Sequence, residues 1–279
     1  MPMTLPTQTR LTSSLRVQQA LGALGALLAL AILASSILLR LTSVIDDAGV
    51  HSTLAADTES AVRLVHRLCA SGVGLLALLA VGIGWMQRKA APHAVLPVAW
   101  LVAATVLLAA IGPLTPGYRF NSVTVANVMG GTVLLAACWW LRETLAWGPI
   151  AERARQHPLL RATMAVLAVH IGLGAAASAL EMRGIHWVAF VHAGSGMLTA
   201  LLLGSVLWDR RGDARLGRVI AAMAGVLILQ FVLGLVSLWV NGRPVALGFA
   251  HAMLSALLGG GLVSIAVRDG QTWNQTREN

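Results

Sequence analysis

Charge is scarce in this sequence. Of 279 residues only 11% are Asp, Glu, Lys or Arg, while 57% are hydrophobic, and mean hydropathy is +0.76. A soluble domain carries about a quarter charged residues. A chain with so little polar surface cannot coat a water-facing globule, so lipid must be most of its solvent. Acidic residues are the scarcer sign, 11 against 20 basic, for a net charge of +9. That excess does not make a nucleic-acid binder, because the basic residues sit in short loops between apolar runs and not on one polar face. Cysteine is limited to Cys69 and Cys138, both inside apolar runs, with no CxxC motif. A disulfide framework is thereby excluded, and both read as buried small residues.

What is present is a succession of eight apolar segments: Val17–Leu41, Val62–Met86, Ala94–Leu114, Ser122–Leu141, Leu159–Leu180, His186–Trp208, Val219–Val240 and Val245–Val267. Each is close to the ~20 residues a helix needs to cross ~30 Å of hydrocarbon. Lipid does not tolerate unpaired backbone groups, so the segments must be helices. The first is too long for a signal-peptide core and lacks a small-x-small cleavage site, and reads as a retained span. With the amino terminus inside, most basic residues, including Arg88, Lys89, Arg153, Arg155, Arg210 and Arg211, fall on the inner face. The outer face keeps Arg40, Arg63, Arg67, Arg119, Arg183 and Arg243, with Asp46, Asp47, Asp57 and Glu59 in the first outer loop. Both termini are therefore expected to be cytoplasmic.

The chain also repeats itself. "VRLVHRLCASGVGLLALLAV" at Val62 matches "VAFVHAGSGMLTALLLGSV" at Val188, with His66 over His192. "VANVMGGTVLLA" at Val125 matches "GFAHAMLSALLG", with Asn127 over His251. The expected fold class is all-α: an integral membrane protein of eight transmembrane helices in two pseudo-symmetric four-helix bundles. The amino-terminal half is residues 1–145 and the carboxy-terminal half 146–279. Four spans per repeat is an even number, so the halves share an orientation and are related by an axis along the membrane normal.

The histidines carry the chemistry. His66, His170, His192 and His251 lie well inside spans, and His186 at the mouth of the sixth. His51, His93 and His157 are in loops or at interfaces and receive no role. A histidine within a span marks a functional site or a hydrogen bond to a neighbouring helix. His66, His192 and His251 each lie five or six residues from the outer end of their run, roughly 7–9 Å below the surface, and Asn127 shares that level. Three unrelated core histidines would not agree in depth. His170 lies deeper and reads as core. The residue four positions on is small in each case, Ala70, Gly131, Gly196 and Ser255. It lies on the same helix face, where it clears space for something flat or serves ordinary helix packing.

A flat, wide, apolar object held by two histidines from facing helices is a heme. Zinc is disfavoured, since no cysteine or carboxylate stands near the histidines to complete four ligands. Arg67, Arg119 and Arg243 lie near the depth at which heme propionates need cations. Snorkelling to lipid headgroups is the competing use.

At this point "VRLVHRLCASGVGLLALLAV", "TPGYRFNSVTVANVMGGTVLLAACWWLR" and "QFVLGLVSLWVNGRPVALGFAHAMLSALLGG" together resemble the heme A synthase family of cytochrome oxidase assembly proteins. The likeness covers nearly the whole chain. Its more specific marks are the His66–Arg67 pair and the Q-x-x-L-G beginning at Gln230. The resemblance implies a membrane oxidoreductase that converts the C8 methyl of heme O to the formyl of heme A. It implies a heme b on His192 and His251, with His66 facing the iron of the substrate heme. It also implies heme O synthase or oxidase assembly factors as partners beside lipid. A bacterial inner membrane is the expected location, and the acid-free, Arg- and Ser/Thr-containing start of the chain is also compatible with a mitochondrial one. Three positions depart from the family. Its catalytic glutamate is replaced by Arg63, its fourth histidine by Asn127, and the outer-loop cysteine pairs are absent. Glu59 either substitutes for the missing acid, seven residues before His66, or pairs with Arg63 at i+4; the ion pair is favoured. The alternative function is a non-catalytic heme b protein for electron transfer, heme handling or oxidase assembly. A transporter is disfavoured, because no pair of spans is short or broken near the midplane.

Overall fold

The computed structural model of the protein describes residues 13–46, 49–112, 122–148, 157–181, 187–240 and 244–277. Among them, eight helices are long and apolar enough to cross a membrane. They are α1 (Ser13–Leu41), α2 (Ala56–Gln87), α3 (Val95–Ile111), α4 (Ser122–Trp147), α5 (Pro158–Glu181), α6 (Trp187–Arg210), α7 (Gly217–Trp239) and α8 (Val245–Arg277). All eight expected spans are helical, and most outrun their apolar segments. The expected ends at Leu114 and His186 lie outside the described residues.

Local chemistry sets several boundaries. Proline opens α5 at Pro158, where a missing N–H costs nothing. Pro244 precedes α8 and its carbonyl accepts from Leu247 N. α4 stops at Gly148, whose φ of 96° only glycine adopts without strain. Between α1 and α2, strands β1 (Ser43–Asp46) and β2 (Gly49–Ser52) form a short antiparallel ribbon, Ser43 opposite Ser52. Thr53 ties this ribbon to the end of α1 through Thr42 O.

Helices α1 to α4 pack in a closed ring, each against its sequence neighbours and α4 back against α1. Helices α5 to α8 do the same. Each ring has its own core, Leu33, Ala77, Leu101 and Cys138 in the first and Leu167, Leu203, Met223 and Leu262 in the second. The rings meet chiefly along α4 and α8, supported by α1 on α8 and α4 on α5. That seam explains why α8, α1 and α4 are the most enclosed helices. By contrast α7 presents Ile228, Leu229, Val232 and Trp239 outward, as a lipid-facing helix should.

The seam is held by specific contacts. The Trp139 ring lies where a side chain at Gly260 would stand, and its indole N–H donates to Ser264 Oγ at 2.8 Å. Near the carboxy-terminal end of α4 Glu143, fully buried, accepts from Arg268 Nε at 2.9 Å and also pairs with Arg142. A carboxylate removed from water needs such compensation.

Candidate functional site

Three histidines converge in the second ring. His170 comes from α5, His192 from α6 and His251 from α8, and one ligand nitrogen from each lies within 4.8 Å of the others. The His170 and His192 rings stack, centroids 4.2 Å apart and 8° from parallel. The His251 ring stands nearly perpendicular to both, at 6.3 Å and 5.9 Å.

Glycines make that convergence possible. A Cβ at Gly174 of α5 would lie 2.8 Å from His192 Cε1, and one at Gly196 of α6 would lie 3.0 Å from His170 Cε1. The two helices thus exchange an imidazole for a glycine in each direction. Gly234 of α7 seats the His251 ring in the same way, at 3.2 Å. Gly196 therefore receives His170 rather than clearing space beneath its own His192.

Hydrogen bonds fix which nitrogens are available. His192 Nδ1 lies 3.2 Å from the carbonyl of His170, which can only accept, so Nδ1 carries the proton and Nε2 keeps a lone pair. Ser195 Oγ donates to His192 O and accepts from His170 Nδ1 at 3.0 Å, leaving His170 Nε2 equally free. His251 Nε2 meets Gln230 Nε2 at 3.1 Å, and the same amide reaches Ser255 Oγ at 2.6 Å. His251 Nδ1 and Gln230 Oε1 are buried without a hydrogen-bond partner. With the amide N–H donating to Nε2, Nδ1 must carry the ring proton; with the amide turned over, its oxygen accepts from Nε2–H and Nδ1 keeps the lone pair that a ligand would use. Gln230 and Gly234, two marks of the Q-x-x-L-G segment, are thus the residues that position His251.

The donor set suits an iron porphyrin: neutral imidazoles from different helices, each held by a second contact, in apolar surroundings. Among the described residues no carboxylate or thiolate joins the cluster. The expected pair His192 and His251 is brought together. His170, expected as core, is buried but also belongs to the group. Depth counted from the end of an apolar run hid it, because α5 continues to Glu181, past the level at which α6 begins.

The first ring is simpler. His66 Nδ1 donates to Ser35 Oγ of α1 at 3.1 Å, since that hydroxyl already donates to the Ala31 and Ile32 carbonyls. Asn127 is half-buried on α4, and the notch at Gly131 one turn below is filled by Leu33 of α1. Glu59 pairs with Arg63 at 2.7 Å, the favoured alternative. Arg67 and Ala70 are exposed. Arg119, Arg243 and His186 lie outside the described residues. Cys138 is fully buried and Cys69 partly so.

Fold and site together define a helical protein with eight helices long and apolar enough to cross a membrane and a three-histidine cluster in its second ring, His170 buried and His192 and His251 half-buried. Compared with protein-family models and with curated proteins, the chain matches none.

Proposed function

We propose that this is a membrane heme protein whose resident heme b is held by His192 and His251, and that it acts as a heme A synthase-like oxidoreductase. The observation that carries the reading is the meeting of those two imidazoles from α6 and α8, each ring seated on a glycine of a neighbouring helix. An iron porphyrin with two imidazole ligands supplies one-electron transfer. The protein's part is to hold the rings. His170 O fixes the His192 tautomer, and Gln230 with Ser255 orients His251.

We read the two rings as pseudo-symmetric halves, residues 1–145 and 146–279. Their identical order of packing supports this. So does a shared device at the inner ends of α2 and α6. Arg88 lies over the Trp85 ring and donates to its carbonyl at 2.7 Å, and Arg211 does the same to Trp208 at the same distance. On that reading His66 is the counterpart of His192 and faces the substrate porphyrin, with Asn127 opposite. Converting a methyl to a formyl group removes four electrons and adds one oxygen, so an electron acceptor is part of the reaction. Arg63 in place of the family's acid leaves the non-catalytic heme b protein as the alternative. The location that fits the loop charges is a bacterial inner membrane with both termini inside.

Co-expression with a source of heme O tests the catalytic reading. Heme A in the extract is expected. A folded, heme-loaded protein that yields none would rule the synthase out and leave the heme b protein. One observation favours a second reading: His170 adds a third imidazole, the donor set of a zinc or copper ion. Stoichiometric zinc or copper in a colourless protein would establish it.

A further inference from the structure

Arg40 stands at the outer end of α1, inside its apolar span. Its Nε and Nη1 are shielded from solvent, and neither meets an acceptor among the described residues. Guanidinium donors withheld from both water and an acceptor are expensive, and such groups in spans are ordinarily paired.

The helix register says where that cation stands. Arg40 lies seven residues beyond Leu33, on the same stripe of α1. Leu33 fills the notch at Gly131 of α4. On antiparallel α4, Asn127 is one turn outward of Gly131, so Arg40 stands just outside the level of Asn127. The Ser35–His66 hydrogen bond sets the level on α2, and Arg40 is five residues, about 7.5 Å, outward of Ser35. Arg40, Asn127 and His66 therefore descend the first ring in that order. From the outer end inward come a cation, an amide and an imidazole.

We infer that Arg40 binds a carboxylate of the molecule that His66 faces; resting on the heme reading above, that carboxylate is a propionate of the substrate porphyrin. A guanidinium fork matches a carboxylate in two parallel hydrogen bonds, and Nε and Nη1 are two donors left unmet. Porphyrin propionates leave one edge of an otherwise apolar ring, and the polar end of this stripe is the outer one. A lipid phosphate offers the same oxyanion chemistry.

The test uses full-length protein carrying its resident heme, in phosphatidylcholine nanodiscs, titrated with protoheme or with its dimethyl ester. Binding of a second heme is read from the Soret band. Wild type should prefer the free acid by about ten- to a hundredfold, the worth of a buried charged hydrogen bond. R40Q should bind both forms at the level of the ester, and R40K should recover part of the preference. Equal preference in wild type and R40Q would overturn the inference while leaving the heme reading standing. Loss of a tightly co-purifying anionic lipid from R40Q, with the porphyrin preference intact, would assign Arg40 to a headgroup and overturn it too. Should R40Q lose its resident heme, wild type and R40K decide: a wild type indifferent to esterification refutes the assignment. Protein that takes up neither porphyrin and carries no resident heme would instead refute the underlying cofactor reading.

Discussion

Replacing Gly174 by alanine probes the seat of His192 without touching a ligand. The added Cβ would lie 2.8 Å from His192 Cε1 and 3.4 Å from both ring nitrogens. An ordinary carbon contact is about 3.5–4.0 Å, so the ring must retreat by roughly 0.7–1.2 Å. It is not free to do so. Its Nδ1 is bonded to His170 O at 3.2 Å, and its face is stacked on His170 at 4.2 Å. Overpacking of this kind costs about 1–3 kcal/mol. Falling on a ligand to a bound group, that cost lowers affinity by about five- to a hundredfold. The control is Gly225→Ala on α7, where a Cβ meets no heavy atom within 4 Å. There alanine favours the helix by about 1 kcal/mol. The assay is heme per protein, with the reduced α-band, in detergent-purified wild type, G174A and G225A. G174A should lose heme or shift the band while G225A does neither. If G174A keeps wild-type heme content and spectrum, the ring is not confined as described and the cradle argument fails.

Three further outcomes are expected. Glu143→Gln leaves Arg268 facing a neutral amide at the α4–α8 seam, and should destabilise the protein by about 3 kcal/mol in thermal unfolding in detergent; an unchanged midpoint would show the seam does not depend on that pair. Ser35→Ala removes the acceptor that orients His66 and should weaken second-heme binding by roughly tenfold with resident heme unchanged; loss of the resident heme instead would link the two sites. Glu59→Gln breaks a partly exposed ion pair and should move stability by less than about 1 kcal/mol. Heme product is expected to be unchanged too, and its disappearance would return Glu59 to the reacting group.

Much of the fold was legible in the sequence because lipid imposes one solution, a helix for each apolar run. The ion pair of Glu59 and Arg63 was legible through its i+4 spacing. Register was not legible. Run ends need not lie at one depth, so His170 read as core although α5 carries it alongside His192. Small residues were equally ambiguous. Gly196 and Gly131 do make room, but for His170 and Leu33, side chains of neighbouring helices that sequence spacing does not pair with them. The Q-x-x-L-G segment also pointed at a contact, since Gln230 and Gly234 lie one turn apart and face the same imidazole. Nothing in the pattern marked Arg40, because an arginine near a span end reads as a snorkelling anchor until its neighbours are placed.

The central claim is that His192 and His251 hold a heme. The direct measurement is the oxidised and dithionite-reduced absorption spectrum of the detergent-purified protein, with pyridine extraction and metal analysis on the same sample. A low-spin b-type spectrum is predicted, lost in H192A and in H251A. A colourless protein from heme-replete cells, or full heme content in either variant, would contradict it.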